Sequence, residues 1–155
     1  MRPVLDREFF ARPTLTVAPA LLGCLLCRRQ NGRTVRTRIV EVEAYTDDLA
    51  SHARNARRTP RNGPMFENPG HAYVYFTYGM HHCFNVVTER RCEPGAVLIR
   101  GLDGIANANG PARLCKVLEI DRRFDRHDLT KRRELWLEPG GRRPPETVIR
   151  THRIG

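Results

Sequence analysis

A tight-turn signal between two strand-like runs constrains the fold of this chain more than any other feature. Asn31-Gly32 separates residues 24–29 from residues 34–45, and Asn-Gly between such runs is the strongest short-range indication of a β-hairpin. Side chains alternate between the two faces of a strand. In the second strand we therefore expect one face to carry Val35, Thr37, Ile39, Glu41, Glu43 and Tyr45. The other face is apolar and is expected to pack on the core with Val40, Val42 and Ala44.

The rest of the chain consists of short predicted elements without an internal repeat. A second strand pair is predicted at residues 72–78 and 81–88, around Gly79-Met80, and a further strand at 96–102. The remaining elements are helical pieces at 6–12 and 17–23, a helix at 112–120 behind Asn109-Gly110-Pro111, and final strands at 135–138 and 147–154. Together they predict one mixed α/β (α+β) domain with a mainly antiparallel sheet.

Size and composition agree with a single soluble domain. The chain has 155 residues, of which 40% are hydrophobic, enough to form a core. It contains no run of 18 apolar residues, so no transmembrane helix and no membrane association are expected. Acidic residues stand where a signal peptide would carry its apolar stretch. We therefore expect a monomer in the cytoplasm, associated with the nucleoid, if the source is bacterial, and in the nucleus if it is eukaryotic.

The strong positive charge points to a polyanionic partner. The net charge is +10, and such an excess accelerates encounters with nucleic acid. Only Lys116 and Lys131 are lysines, so the basic residues are nearly all arginine. Because the base composition of a genome can also favour arginine, the charge alone does not decide between a DNA-binding protein and a merely basic one.

The five cysteines leave a metal site open as an alternative. An odd count in a chain without an export signal argues against a disulfide framework. Cys24 and Cys27 have the spacing of a metal knuckle, but no second such pair follows. A metal-binding protein would use Cys24, Cys27, His81, His82 and Cys83. Since adjacent strand residues point to opposite faces, His81 and His82 cannot easily share one ion, and we expect buried thiols and no metal.

Three features of the sequence are candidates for a functional role. Residues 46–71 have no clear period, and a stretch of this length inside a domain is usually functional, although a solvated basic loop is the simpler reading. Tyr78 falls at a predicted hairpin tip, where there is little core for an aromatic ring to enter. Arg100 lies within an apolar strand, so we expect it to be paired with a carboxylate.

A series of motifs in a fixed order resembles the alkyladenine (3-methyladenine) DNA glycosylase family. The motifs are Arg-Ile-Val-Glu-Val-Glu-Ala-Tyr at 38–45, Ser-His-Ala at 51–53, Thr-Pro-Arg-Asn-Gly-Pro-Met-Phe at 59–66, Tyr-Val-Tyr-Phe-Thr-Tyr-Gly-Met-His-His-Cys-Phe-Asn-Val-Val at 73–87, Val-Leu-Ile-Arg at 97–100 and Gly-Pro-Ala-Arg-Leu-Cys at 110–115. Each motif alone is weak evidence, but their common order and spacing over about two thirds of the chain are specific.

The resemblance implies a DNA repair enzyme with a protruding, DNA-intercalating hairpin. Such an enzyme flips an alkylated or deaminated purine out of double-stranded DNA and hydrolyses its N-glycosidic bond without a metal or organic cofactor. The positions that match the family's site are Glu43 and Arg100 as catalytic residues, Tyr45, His52, Tyr75 and Asn85 around the base, Tyr78 as the intercalating wedge, and Arg54, Arg57, Arg58, Arg61 and Met80 along the DNA backbone. The alternative is a non-catalytic module that binds damaged DNA on the same scaffold.

Two departures from the family pattern concern length. Between Arg100 and Gly110 the chain is shorter than many relatives, which carry a longer helical segment there. The family typically continues from an Arg-Ile-Gly similar to Arg153-Ile154-Gly155 into more strand and a basic, aromatic segment. We therefore expect residues 1–155 to form one glycosylase domain, minimal or truncated at its C-terminus, in which closure of the pocket and DNA affinity are affected.

Overall fold

The described residues form six strands, three short α-helices and two 3₁₀ turns. A computed structural model describes residues 2–46, 63–77, 80–141 and 146–152. The helices are α1 (Arg7–Phe10), α2 (Thr14–Leu21) and α3 (Pro111–Val117). The strands are β1 (Leu25–Gln30), β2 (Arg33–Tyr45), β3 (Ala72–Thr77), β4 (His81–Val87), β5 (Ala96–Asp103) and β6 (Leu135–Glu138), and the 3₁₀ turns are Gly63–Phe66 and Arg122–Phe124.

The six strands form one antiparallel sheet in the order β3-β4-β5-β2-β1-β6. The predicted α+β class with a mainly antiparallel sheet is therefore confirmed. The first hairpin closes as Asn-Gly predicts, because Asn31 and Gly32 both adopt positive φ angles, 51° and 76°, between the paired residues Gln30 and Arg33. The tip of the β3–β4 hairpin, at residues 78–79, lies outside the described residues.

The main core lies between one face of the sheet and the helices. Helix α2 packs against β2 and β5, and α3 packs against β4 and β5. Large buried side chains that meet there include Phe10, Val17, Leu21, Phe84, Ile99 and Leu114. Each such side chain contributes roughly 1.5–3 kcal/mol when it is removed from water. This core fixes the positions of the central strands, β2 and β5.

A second, smaller apolar cluster covers the opposite face of the sheet. It joins the 3₁₀ turn Gly63–Phe66 to the central strands and consists of Met65, Phe66, Tyr73, Val87 and Ala96. Tyr45 and Tyr75 pack at its side and remain partly exposed. The sheet therefore has one face committed to the helices and another on which aromatic side chains border solvent.

The alternation of β2 breaks in the middle of the strand, and this corrects the expected division of its faces. Ile39 and Val42, three residues apart, both face the main core, and the pairing with β5 is irregular between Ile39 and Val42. Val40 was expected in the core but is 46% exposed. The break places Glu43 and Tyr45 on the face opposite to Ile39, because a one-residue irregularity reverses the side on which later side chains point.

Several predicted boundaries and one predicted strand are wrong. Helix α1 is shorter than predicted and begins after Asp6, whose carboxylate accepts a hydrogen bond from the Phe9 amide at 2.9 Å. Helix α2 begins three residues earlier than predicted. Residues 146–152 form no strand, although their sequence suggested one. This segment is instead attached by a side-chain contact, in which Arg38 Nη1 donates to Glu146 Oε1 at 3.0 Å.

Strand β6 ends in a buried carboxylate that organises this edge of the sheet. Glu138 is fully buried and accepts hydrogen bonds from Arg36, Arg132 and the indole of Trp136. Burial alone would raise the pKa of this carboxyl group, but the three donors lower it to about 2.

None of the helices in the described part of the chain is long and apolar enough to cross a membrane.

Candidate active site

Cross-strand pairing places the candidate catalytic residue, Glu43, in one row with residues of three other strands. Glu43 on β2 is opposite Leu98 on β5, Leu98 is opposite Asn85 on β4, and Asn85 is opposite Tyr73 on β3. Residues directly opposite each other in an antiparallel sheet share a face. Glu43 and Asn85 therefore lie on the same face of the sheet, as members of one row.

The neighbouring rows add the other candidate residues on these strands. Tyr45 lies two residues after Glu43, Tyr75 two residues after Tyr73, and Arg100 two residues after Leu98, so each side chain stays on the same face. The sheet thus brings together five of the residues that the sequence motifs single out, from four different strands. This face is the one turned away from the helical core.

Glu43 is a buried carboxylate, and two neighbouring side chains contact its Oε1 atom. The side chain is only 7% exposed, the Tyr45 hydroxyl donates to Oε1 at 2.8 Å, and Arg100 Nη1 lies 3.5 Å from the same oxygen. An unpaired buried carboxylate is strongly unfavourable, so such partners are required. Arg100 is thus paired with a carboxylate, as its place in an apolar strand predicts.

Arg100 makes its shorter contact with a different carboxylate, Glu41. Its Nε donates to Glu41 Oε1 at 3.1 Å, and the arginine side chain is 18% exposed whereas that of Glu41 is 57% exposed. The alternation of the strand placed Glu41 on one face with Glu43 but assigned it no partner. The sequence did show two glutamates at alternate positions of one strand. It did not show which residue of the neighbouring strand lay opposite them.

Tyrosine rings form an aromatic border on the face of the sheet that carries Glu43. The rings of Tyr73 and Tyr75 pack at a centroid distance of 5.4 Å. Burial, with a further contribution from contact with Cys83, raises the pKa of the Tyr75 phenol and keeps it protonated. Tyr45, which donates to Glu43, and Tyr75 therefore present amphipathic rings on this face, and such rings are suited to contact with a flat aromatic ligand.

Asn85 is a rigid member of the same face. It is 3% exposed, and its Nδ2 donates to the carbonyl oxygen of Tyr73 on the neighbouring strand at 3.1 Å. The sequence left open whether this asparagine only makes a structural hydrogen bond or also shapes a base pocket. The observed hydrogen bond fixes the orientation of its side-chain amide next to the aromatic border.

The β3–β4 hairpin carries exposed apolar side chains near its tip. Met80 is 79% exposed and has a positive φ of 66°, and Phe76 on β3 is 41% exposed. Exposed large apolar side chains at a hairpin tip indicate a contact surface. The predicted wedge, Tyr78, and the predicted pocket residue His52 lie outside the described residues, as do Arg54, Arg57, Arg58 and Arg61.

A groove of about 460 Å³ lies along the second half of β2, beside the two glutamates. Strand β1 pairs with residues 33–38 of β2, and among the described strands none pairs with the following part of β2 on that side. The groove is bordered by helix α2, by residues 40–44 of β2 and by residues 148–152. Solvent therefore has access to the strand at the level of Glu41 and Glu43.

The metal-site alternative has no support among the described residues. The part of the chain that the structure describes contains no group of three or more histidine, cysteine, aspartate or glutamate side chains suited to a metal ion. Cys27 on β1 and Cys83 on β4 are separated by two intervening strands. Burial raises the pKa values of Cys27 and Cys115 to about 12, so these thiols are protonated at neutral pH.

The sheet face and the net charge of the chain define a class of enzyme, and comparison with known proteins identifies the family. A carboxylate and an arginine bordered by aromatic rings, in a chain of net charge +10, are typical of an enzyme that acts on a nucleic-acid base. The sequence profile described as methylpurine-DNA glycosylase matches residues 8–155. This chain therefore belongs to the methylpurine-DNA glycosylase family, whose members are DNA glycosylases of DNA repair.

Individual relatives agree with this assignment. A candidate 3-methyladenine DNA glycosylase of Carboxydothermus hydrogenoformans is 43% identical, over 98% of this chain and 88% of the relative. A similarly named protein of Myxococcus xanthus is 45% identical, over 97% of this chain and 81% of the relative. The DNA-3-methyladenine glycosylase of Homo sapiens is 38% identical, over 97% of this chain and 60% of the human protein.

Proposed function

We propose that this chain is a monofunctional DNA glycosylase that removes alkylated or deaminated purines from double-stranded DNA. It flips the damaged nucleotide out of the duplex and hydrolyses the N-glycosidic bond with a water molecule activated by Glu43, leaving an intact abasic site. The observation that carries the proposal is the Glu43 carboxylate, which is buried and held at one oxygen by Tyr45 and Arg100.

The chemical step follows from this arrangement. Departure of the base moves the electron pair of the C1′–N bond onto the base and leaves positive charge on the sugar. A negative carboxylate stabilises that charge, orients the water and accepts its proton as the new C1′–O bond forms. Tyr45 donates a hydrogen bond to Glu43, and Arg100 places a positive charge near the same carboxylate.

The walls of the site suit a flipped purine. Stacking on an aromatic side chain contributes on the order of 1–3 kcal/mol per base. We assign this role to Tyr45, Tyr75 and His52. Alkylated purines such as 3-methyladenine carry positive charge, which favours the face of an aromatic ring. Asn85, held rigidly at the same face, is assigned the exclusion of undamaged guanine by crowding its exocyclic amino group.

The remaining predicted residues are assigned to DNA. Extruding a nucleotide costs a few kcal/mol and leaves a gap in the stack. We assign Tyr78 to fill this gap and Met80 to contact the strand beside it, since Met80 is strongly exposed at the same hairpin. Arg54, Arg57, Arg58 and Arg61 would neutralise phosphates without reading sequence. The protein would act as a monomer, in the cytoplasm of a bacterium or in the nucleus of a eukaryote.

The proposal is tested by base release from matched duplexes. Each duplex carries one lesion, namely 3-methyladenine, 7-methylguanine, hypoxanthine or ethenoadenine, and undamaged DNA is the control. We expect release of at least one lesion in the presence of a chelator, and strand cleavage only after alkali. Binding of lesion DNA without release of any base would instead support the non-catalytic module, and a borohydride-trapped covalent complex would contradict the monofunctional mechanism.

A further inference from the structure

The contacts of Arg100 divide between two carboxylates, and the division is unequal. Its Nε forms a hydrogen bond of 3.1 Å to Glu41, whereas its Nη1 lies 3.5 Å from Glu43, beyond a well-formed hydrogen bond. The guanidinium is planar, so a bond at Nε fixes the rotation of the whole group. Glu41 therefore orients the Arg100 guanidinium. In this orientation, Nη1 of Arg100 is directed toward Glu43.

The backbone at this point leaves room for Glu41 to reach across to β5. Glu41 is paired with Gly101 at the irregularity in the β2–β5 ladder. A Cβ atom built on Gly101 would lie 3.2 Å from the Glu41 Cβ and 3.6 Å from its Oε2. The Glu41 side chain thus passes over a glycine, in a space that any other residue at position 101 would narrow.

Stability alone does not account for this contact. Glu41 is more than half exposed, and ion pairs of this kind contribute little to folding because solvent and salt screen them. The side chain is nevertheless directed at Arg100, an arginine that contacts the buried Glu43. Its effect should therefore be seen in the orientation of Arg100 rather than in the free energy of unfolding.

We propose that Glu41 is a positioning residue, which holds the Arg100 guanidinium in the orientation that serves Glu43 in base excision. This inference rests on the proposed function, since it assigns Glu41 a part in that reaction. Glu41 itself does not contact the substrate. It acts through Arg100, so its contribution must vanish when Arg100 is absent.

The test is a double-mutant cycle between Glu41 and Arg100, measured by single-turnover excision. We expect Glu41→Ala to slow excision about fivefold, the upper range for an exposed pair, without changing the melting temperature or the Kd for a duplex with a tetrahydrofuran abasic site. Glu41→Gln keeps an oxygen acceptor for Nε and should be slowed less. Glu119→Gln removes an exposed charge after α3, where the side chain accepts a hydrogen bond from Gln30 at the end of β1 and not from Arg100, and it serves as the control.

The second half of the cycle separates positioning from an independent effect. In an Arg100→Ala background, Glu41→Ala should slow excision no further, and Arg100→Gln provides the same background if the alanine variant melts early. Equal losses in both backgrounds, or a normal rate for Glu41→Ala beside an inactive Glu43→Gln, would overturn this inference alone. Absence of excision by the unaltered chain would refute the proposed function and this inference together.

Discussion

Removing a single hydroxyl group, in Tyr45→Phe, tests how the site holds its carboxylate. The Tyr45 hydroxyl donates to Glu43 Oε1 at 2.8 Å, whereas the ring packs beside the second apolar cluster. The substitution leaves the ring in place and removes one donor from a buried, charged acceptor. The aromatic contact with the base should therefore persist, and only the support of the carboxylate should be lost.

The size of the effect follows from the strength of that bond. A hydrogen bond to a charged group contributes about 1.5–3 kcal/mol. If the ionised carboxylate is fully used in the transition state, the loss corresponds to a roughly 10- to 150-fold slower excision step. Part of the bond energy is also present before the reaction, so the lower half of this range is expected.

Single-turnover excision with enzyme in excess measures the effect on the chemical step, and the Kd for lesion DNA measures the effect on binding. Tyr45→Phe should slow excision at an unchanged Kd, and Tyr45→Leu, which also removes the ring, should weaken binding as well. A Tyr45→Phe rate within twofold of the unaltered protein would refute the view that this hydroxyl supports Glu43.

Two further predictions concern the strand irregularity and the far edge of the sheet. Gly101→Ala should displace the Glu41 side chain, because a Cβ at position 101 would lie close to it. We expect excision to slow a few-fold and urea unfolding to show a loss of stability of about 1 kcal/mol. A normal excision rate would contradict the close approach seen at this glycine. Folding lowers the pKa of Glu138 from 4.5 to about 2, so its stabilisation is present above about pH 4.5 and is lost as the pH falls toward 2. Urea unfolding over this range should show a smaller acid-induced loss in Glu138→Gln, and identical pH curves would contradict the assignment.

Local signals in the sequence predicted most of the sheet. Asn31-Gly32 fixed the first hairpin because its two residues accept positive φ angles, and the strands around residue 79 followed from their β-branched and aromatic content. The candidate residues Glu43, Tyr45, Tyr75, Asn85 and Arg100 were named from motifs, and the sheet places them on one face.

What the sequence did not predict depends on contacts between distant parts of the chain. The break in the alternation of β2 arises where Glu41 is paired with Gly101, sixty positions later, and no pattern within β2 shows it. The expected strand at 147–154 had suitable residues, but a strand also needs a partner edge, and residues 146–152 form no ladder. The contact between Glu41 and Arg100 was missed for the same reason, because Arg100 lies on another strand.

The central claim is that Glu43 activates the water that cleaves the N-glycosidic bond, and Glu43→Gln tests it most directly. The amide retains nearly the same shape but can neither accept the proton nor carry the negative charge. Single-turnover excision and Kd would be measured with the duplex that the unaltered chain cleaves fastest, using Glu119→Gln as the matched control. We predict that excision falls by at least about 10²-fold while lesion binding survives. Excision within a few-fold of the unaltered chain would contradict the account.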